Sequence, residues 1–264
     1  MKLSEAQLKQ YRDEGYLLIP DLFSPAEVQI MKNEVPKVFA KRRPENIREK
    51  TGDVVRTAFA VHTYNDVFHR LVRHPKFLNP AEQMLDGKVY IHQFKMNGKA
   101  AFDGDVWQWH QDYGTWAADD DMPNPYGMNL AVFLDEVTEF NGPLLFIPRS
   151  HKQGKLEAGH DTSTTSYPLW TIDHQTIERL ANEGGIVAPK GKPGSALFFH
   201  CNLVHGSAPN MSPWGRVIVY VSLNRVDNAI RRFKRPEWIA HRDFSPLQPM
   251  SEDCLLQLAR QAAE

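Results

Sequence analysis

The hydrophobic residues change their period near Lys88, and this change limits the folds that the chain can adopt. Downstream of it, short apolar or alternating segments are separated by clusters of Gly, Pro, Asn and Asp, which is typical of strands joined by turns. The segments are VYIHQF, WQWHQD, MNLAVFLDEV, GPLLFIP, SALFFH and RVIVYVSLN. This series predicts a mainly β fold, an antiparallel β-sandwich or jelly roll, with helices before it.

Capping signals predict helices at both ends of the chain. Ser4 with Gln7 is a capping-box pair, and Ser24 before Pro25 is an N-cap followed by proline at the first helical position. The run YLLIP between these two helices is predicted to be a short strand. The predicted helices span 5–15, 24–43, 66–85 with breaks near Pro75 and Pro80, and 252–263.

We predict one domain over residues 1–264, because neither a repeat nor a change of composition divides the chain. Its expected parts are a mainly helical N-terminal part (1–87), a jelly-roll core (88–230) and a C-terminal extension (231–264). The polar, weakly periodic run 150–193 interrupts the core and is predicted to be an insertion or lid.

Charge and cysteine content exclude several classes of protein. Lys plus Arg number 31 and Asp plus Glu number 32, so the chain has no excess of basic residues that would indicate nucleic-acid binding. The two cysteines, Cys201 and Cys254, cannot build a disulfide framework and favour a cytoplasmic setting. The polar N-terminus lacks a signal-peptide pattern, and no apolar run approaches a membrane span. The expected partner is a small-molecule substrate, bound by a monomer or a homodimer.

Three residues form a candidate metal site. In a strand, residues i and i+2 point to the same face, so His110 and Asp112 in WQWHQD can offer an imidazole and a carboxylate to one point. His205 in NLVHGSAPN is the favoured third ligand, with His200 as the alternative. Two histidines and one carboxylate leave open coordination positions, as in Fe(II) oxygenases. The competing interpretation of the H-x-D motif is a surface His–Asp pair.

An arginine near the third ligand predicts an anion site. Arg216 begins the apolar strand RVIVYVSLN, and a buried guanidinium needs a partner such as a bidentate carboxylate. Ser207 could donate a second hydrogen bond to that carboxylate. The alternatives are a structural salt bridge for Arg216 and an ordinary turn residue for Ser207.

These motifs together resemble the iron- and 2-oxoglutarate-dependent dioxygenases, and within them the phytanoyl-CoA dioxygenase group, ectoine-hydroxylase-like branch. The likeness runs from Gln7 to about Asp227. It is carried by GYLLIPDLFSPAEV, YIHQFKMNGKAAFDGDVWQWHQDYGTW, DDDMP and NGPLLFIPRSH. It implies a double-stranded β-helix, a cupin-like jelly roll, with the N-terminal helices packed on it.

The resemblance also implies roles for individual residues. His110, Asp112 and His205 would bind iron, and Arg216 with Ser207 would bind the distal carboxylate of 2-oxoglutarate. The implied pocket residues are Gln93 and Asn97 near the co-substrate or substrate, Asn129 and Trp107 beside the co-substrate, and Trp116 and Phe199 as walls of the substrate site. The competing interpretations are a solvent-facing location for Gln93 and Asn97 and plain core packing for Trp116 and Phe199.

The implied activity is hydroxylation of an unactivated C–H bond, with Fe(II), 2-oxoglutarate and dioxygen as cofactors and co-substrates and with release of succinate and CO2. Asp112 favours hydroxylation over halogenation, because related halogenases have a small residue there. The expected substrate is a small polar or zwitterionic molecule: an amino acid derivative, a compatible solute or an aminophosphonate. Departures from the ectoine-hydroxylase pattern, in AADDDMPNPYGMN and at Ile218, leave its identity open. The alternatives are a metal-dependent cupin enzyme that is not an oxygenase (an isomerase or hydrolase) and a binding protein without turnover.

Overall fold

The computed structural model describes residues 1–50, 53–163 and 168–261. In these residues helices lie near both ends of the chain and between strands at four places. They are α1 (Glu5–Glu14), α2 (Pro25–Phe39), α3 (Asp66–Leu71), α4 (Pro75–Leu85), α5 (Asp112–Asp120), α6 (His174–Gly184) and α7 (Cys254–Gln261).

Twelve strands in the described part of the chain form three antiparallel sheets. They are β1 (Tyr16–Ile19), β2 (Asn46–Arg48), β3 (Val55–Phe59), β4 (Val89–Lys99), β5 (Trp107–His110), β6 (Gly127–Phe133), β7 (Leu144–Phe146), β8 (Gly159–Asp161), β9 (Leu169–Thr171), β10 (Ala196–His200), β11 (His205–Ser207) and β12 (Arg216–Arg225). The large sheet has the order β1-β10-β6-β12-β4-β3-β2, the small sheet the order β5-β11-β7, and β8 pairs with β9.

The large sheet is covered on both faces, and its side chains alternate between them. On β12, Val219 and Val221 pack into the core shared with the flanking helices. Ile218 and Tyr220 pack into a second core that also contains Phe146 of the small sheet. Because side chains alternate with a period of two, each central strand has one row of side chains that faces the helices and one row that faces the small sheet. The two sheets form the predicted cupin-like jelly roll.

Several predicted boundaries are wrong. Helix α2 ends at Phe39 and not near residue 43, and Pro80 lies inside α4 without breaking it. Proline inside a helix costs about 3 kcal/mol. The buried side chains of Phe77, Leu78 and Ala81 on the same helix offset this cost. Of the two predicted breaks, the structure therefore contains the one near Pro75: α3 ends at Leu71, and Pro75 is the first residue of α4.

The N-terminal part contributes more to the sheet than its sequence predicts. Strands β1, β2 and β3 all lie in residues 1–87 and form both edges of the large sheet. Strands β2 and β3 are three and five residues long, too short for a clear pattern. The jelly-roll core is consequently not confined to residues 88–230.

Two segments contribute no strand to the two main sheets in their described residues. The insertion 150–193 contains the β8–β9 hairpin and α6, and residues 164–167 of it lie outside the described residues. The extension is irregular from residue 229 until α7, and the end of the helix predicted over 252–263 also lies outside the described residues. No helix in the described part of the chain is both long and apolar enough to cross a membrane.

Candidate active site

The three predicted ligands converge at the end of the small sheet. His110 ends β5 and is the cross-strand partner of His205, which begins β11. The ring centroids of the two histidines are 4.1 Å apart. Asp112 completes the group: its Oδ1 lies 3.8 Å from His110 Nε2, and its Oδ2 lies 3.6 Å from His205 Nε2. Their ligand atoms all lie within 4.8 Å of one another, the one such cluster in the described residues.

The backbone reaches this arrangement differently from the prediction. The strand stops at His110, Gln111 is the N-cap of α5, and Asp112 is the first residue of that helix. Gln111 is buried, and its Nε2 donates to the carbonyl oxygens of Asn202 (2.6 Å) and Gly154 (2.9 Å). The strand-face argument for His110 and Asp112 is therefore wrong in its geometry, although the two side chains do meet.

The two imidazoles are oriented by the backbone. His110 Nδ1 lies 2.6 Å from the carbonyl oxygen of Gln108, and His205 Nδ1 lies 2.9 Å from that of Leu203. A carbonyl can only accept, so each Nδ1 carries the proton and each Nε2 presents a lone pair to the cluster.

The electrostatics of the cluster suit a metal ion. Burial lowers the pKa of His110 to about 3 and also lowers the pKa of His205. Burial alone would raise the pKa of Asp112, but Lys95 and the two histidines outweigh it and hold this pKa well below its usual range. Neutral imidazoles and an ionised carboxylate are the protonation states that metal binding requires. The residues present therefore fit an Fe(II) ion held by two histidines and one carboxylate.

A polar chain fixes the carboxylate. Asn129 Nδ2 donates to Asp112 Oδ2 at 2.7 Å, and Ser222 Oγ donates to Asn129 Oδ1 at 2.6 Å. Asn129 is fully buried and does not line the neighbouring cavity in the described residues. The structure thus places Asn129 against the metal-site carboxylate, where we had expected contact with the co-substrate.

A cavity of about 350 Å³ opens beside the cluster. Its volume lies near the lower end of the range for ligand pockets, roughly 300–1,000 Å³. Besides the three candidate ligands, the predicted residues that line it are Gln93, Asn97, Trp107, Trp116, Phe199, Ser207 and Arg216. Gln93 and Asn97 therefore face a cavity and not solvent.

Arg216 lies at one end of this cavity. Its Nε donates to the carbonyl oxygen of Gly142 at 3.2 Å, and its Nη2 approaches Ser207 Oγ at 3.4 Å. In the described residues no carboxylate forms an ion pair with Arg216, so the structural salt bridge considered above is not formed. Burial lowers the pKa of the guanidinium.

The sequence analysis missed several polar residues of the cavity. Lys95 lies on β4 between Gln93 and Asn97, and its Nζ is 3.9 Å from Asp112 Oδ1. The period of two that places Gln93 and Asn97 on one face places Lys95 on that face as well, so the signal was present.

The C-terminal extension also reaches the cavity, which no sequence signal indicated. Arg235 Nε donates to Asp120 Oδ1 at 2.8 Å, and a second bond joins Arg235 Nη2 to Asp120 Oδ2. Asp120 is fully buried and also lies 3.3 Å from His92 Nε2. Lys234, Arg235 and Pro236 all line the cavity.

The other histidines lie outside the cluster. His200 Nδ1 accepts from the backbone N–H of Asn202 at 3.0 Å, and burial lowers the pKa of His200 to about 4. His92 faces away from the cavity toward Asp120, and His151 Nε2 lies 3.1 Å from the carbonyl oxygen of Arg12. The geometry thus favours His205 over His200 as the third ligand.

Comparison with known proteins agrees with this arrangement. The family model for phytanoyl-CoA dioxygenase matches residues 11–218. An ectoine dioxygenase of Bordetella parapertussis is 36% identical, with 94% of this chain and 86% of the relative covered. An L-proline trans-4-hydroxylase of Streptomyces griseoviridis is 34% identical, with 96% of this chain and 98% of the relative covered.

A solved structure is similar over nearly the same range. The crystal structure of EctD from S. alaskensis with 2-oxoglutarate and 5-hydroxyectoine superimposes with a TM-score of 0.84 and 31% sequence identity. The match covers 94% of this chain and 87% of that one.

Proposed function

The chain belongs to the phytanoyl-CoA dioxygenase family, as an Fe(II)- and 2-oxoglutarate-dependent dioxygenase, and on this premise we propose that it hydroxylates a small zwitterionic molecule that carries a carboxylate. The preferred class is an amino acid or a cyclic amino acid derivative, which includes compatible solutes. The alternative of a cupin enzyme that is not an oxygenase finds no support in these relatives.

In this proposal His110, Asp112 and His205 hold the iron. Bound Fe(II), with 2-oxoglutarate and dioxygen, supplies the oxidising power for C–H hydroxylation and yields succinate and CO2. The Nδ1 contacts of the two histidines keep Nε2 free for the metal, and Asn129 holds the Asp112 carboxylate in place. Asn129 therefore acts on a metal ligand and not on the co-substrate.

The end of the cavity at Arg216 would take the distal carboxylate of 2-oxoglutarate. Arg216 forms no ion pair with a carboxylate in the described residues, and a carboxylate matches the fork of its donors. Ser207 already donates its proton to the carbonyl oxygen of Gly142 at 3.0 Å, so it must rotate to donate to the co-substrate. Asn97 and Trp107 line the same cavity and would border the co-substrate.

The guanidinium of Arg235 is the observation that carries the proposed substrate class. It is a cation at the cavity wall that donates two hydrogen bonds to a fully buried carboxylate, and its Nη1 has no hydrogen bond in the described residues. An oriented guanidinium with a free nitrogen is suited to a substrate carboxylate. Trp116 and Phe199 would wall the ring or chain of the substrate, and Gln93 offers a polar contact.

Size and relatives support the same class. Co-substrate and substrate must share about 350 Å³, which suits a molecule of amino acid size and not a fatty acyl-CoA. The relatives are named as an ectoine dioxygenase and an L-proline trans-4-hydroxylase. The two molecules in these names, ectoine and L-proline, are both small, cyclic and zwitterionic and carry a carboxylate.

The test is succinate formation from 2-oxoglutarate with Fe(II) and dioxygen, with product identified by mass spectrometry. The panel is L-proline, L-pipecolate, ectoine, 2-aminoethylphosphonate and a fatty acyl-CoA. We expect at least one carboxylate-bearing zwitterion to stimulate succinate formation and to gain one oxygen atom. The aminophosphonate separates recognition of a carboxylate from recognition of any anion. Stimulation by the acyl-CoA alone would contradict the proposal.

A further inference from the structure

The guanidinium of Arg235 is held by a carboxylate that comes from a different element. Asp120 is the last residue of α5 and is fully buried, whereas Arg235 belongs to the irregular extension. Besides the two side-chain bonds described above, the backbone carbonyl of Asp120 accepts from the backbone N–H groups of Arg231 (3.1 Å) and Arg232 (2.9 Å). The place of Arg235 at the cavity thus depends on the side chain and the backbone of one buried residue.

His92 on β4 contacts both members of this pair. Its Nε2 lies 3.3 Å from Asp120 Oδ2 and 3.4 Å from Arg235 Nη2. Burial alone would raise the pKa of Asp120, but hydrogen bonds from His92 and Arg235 outweigh it and lower this pKa. The Asp120 carboxylate is therefore ionised, and a strand residue and an extension residue share it.

Other atoms of His92 contact the same end of the cavity. Its backbone carbonyl accepts from the backbone N–H of His241 in the extension at 2.9 Å. Its ring packs edge-on against Trp116, with the ring centroids 4.8 Å apart, and Trp116 lines the cavity. Strand β4 is paired on both sides, with β12 and β3. One residue of a central strand therefore joins α5, the extension and the aromatic wall.

Stability alone does not explain a histidine at this position. His92 is fully buried, and its Nδ1 has no hydrogen-bond partner in the described residues. A buried polar atom without a partner is destabilising. Phenylalanine would keep a ring against Trp116 without this cost, but it would lack the nitrogen that reaches Asp120 and Arg235. The contact of Nε2 is therefore the property that distinguishes histidine here.

We propose that His92 is a positioning residue for the substrate, which acts through Asp120 on the guanidinium of Arg235. The inference rests on the proposed assignment of Arg235 to the substrate carboxylate. Asp120 lies at a helix end and Arg235 in an irregular segment, so the paired strand β4 supplies the fixed point of the arrangement. An oriented guanidinium loses less freedom when the substrate binds, and affinity for the substrate is higher for that reason.

The test compares two variants that separate the polar contact of His92 from its ring. His92→Phe keeps a ring and loses Nε2, whereas His92→Gln loses the ring and keeps a polar group that reaches the pair. The probe is L-proline, replaced by L-pipecolate or ectoine if that molecule stimulates more succinate formation. We expect His92→Phe to raise the KM for the probe about five- to tenfold. We expect His92→Gln to keep the KM of the wild type.

The other kinetic constants distinguish positioning from a general loss of structure. In both variants kcat, the KM for 2-oxoglutarate and the iron content should match the wild type, because His92 does not contact the metal ligands or the Arg216 end. A variant that is merely less well folded would lose iron and co-substrate affinity as well.

His62→Phe is the matched control. His62 is also buried, at 7% exposed, and its ring stacks on Phe94 of β4 and contacts His241 of the extension. It does not line the cavity in the described residues. The control should therefore keep the KM of the wild type for the probe.

Three results would overturn the role of His92: a wild-type KM in His92→Phe, a raised KM in His92→Gln, or an equal rise in His62→Phe. The second decides the matter if His92→Phe does not fold. An unchanged KM for the probe in Arg235→Met would instead refute the assignment of Arg235, and the inference with it. The absence of stimulation by all three zwitterions would do the same.

Discussion

The two ends of the cavity are built in different ways. The end at Arg216 is made from neighbouring strands, β4, β11 and β12, and from a glycine turn. The opposite end is made from α5, the β8–β9 hairpin and the C-terminal extension. The first end depends on cross-strand register, whereas the second depends on side chains that join separate segments.

Asp119 illustrates the second kind of construction. Its carboxylate pairs with Lys234 Nζ at 2.8 Å and accepts from Trp170 Nε1 at 3.3 Å, so it joins the extension to the hairpin. The Lys234 side chain is 64% exposed, whereas Lys99 and Arg216 are almost fully buried. The difference suggests that the strand-built end serves the fixed co-substrate chemistry and that the other end can change with the substrate.

The largest effect is expected from the loss of a metal ligand, which should affect both ends of the cavity at once. We expect His205→Ala to lose Fe(II) binding and to lower succinate formation by more than about a hundredfold, since even residues that only support metal ligands cost 10- to 100-fold. Iron content after gel filtration measures the first effect. His200→Ala is the control, because His200 is close in sequence but outside the cluster; iron loss there with retention in His205→Ala would reverse the ligand assignment.

Removal of Arg216 should affect the strand-built end alone. We expect Arg216→Met to raise the KM for 2-oxoglutarate by roughly 10- to 100-fold, the cost of lost hydrogen bonds to a charged group. Iron content should stay at the wild-type level. An equal loss of iron binding would mean that the Arg216 end of the cavity cannot be separated from the iron site. The comparison of the two ends would then fail.

Removal of Arg235 should affect the other end. We expect Arg235→Met to raise the KM for the substrate by about tenfold while the affinity for 2-oxoglutarate is unchanged. Among the described residues the variant leaves buried Asp120 with His92 as its only side-chain partner, so thermal unfolding must be measured alongside. Arg231→Met is a suitable control, since Arg231 belongs to the same extension and is exposed but does not line the cavity in the described residues.

The smallest effect is expected at Asp119. Asp119→Asn weakens a pair with an exposed lysine, and such pairs contribute only about 0–1 kcal/mol. We expect the KM for the substrate to rise by no more than about fivefold, and the difference from the wild type to shrink at high salt. A change in 2-oxoglutarate affinity of the same size would show that the two ends are coupled.

Local patterns predicted a large part of this molecule. The mainly β architecture, the capping box of α1 and the N-cap of α2 follow from alternation and capping, whereas the positions of Gln93 and Asn97 in the pocket were implied by the family resemblance. Lys95 and Lys99 could have been predicted too, because they continue the row of side chains that begins at Gln93. They were missed because a lysine in a strand is usually exposed.

Other features depended on contacts that no local pattern contains. Pro80 remains inside a helix because tertiary burial outweighs its local cost. A strand as short as β2 has no detectable hydrophobic period, and it forms because β3 lies beside it and pairs with it.

The sequence by itself determined which groups can bind the metal and the co-substrate. These groups belong to His110, Asp112, His205 and Arg216, and their chemistry follows from their side chains. Their convergence was set by the folded chain, because Asp112 reaches the site from a helix start and His205 through pairing with β5. The same holds for Arg235, which reaches the cavity from a segment with neither helix nor strand period. Local periodicity describes which way a side chain points within its own element, whereas a site assembled from distant elements depends on how those elements pack.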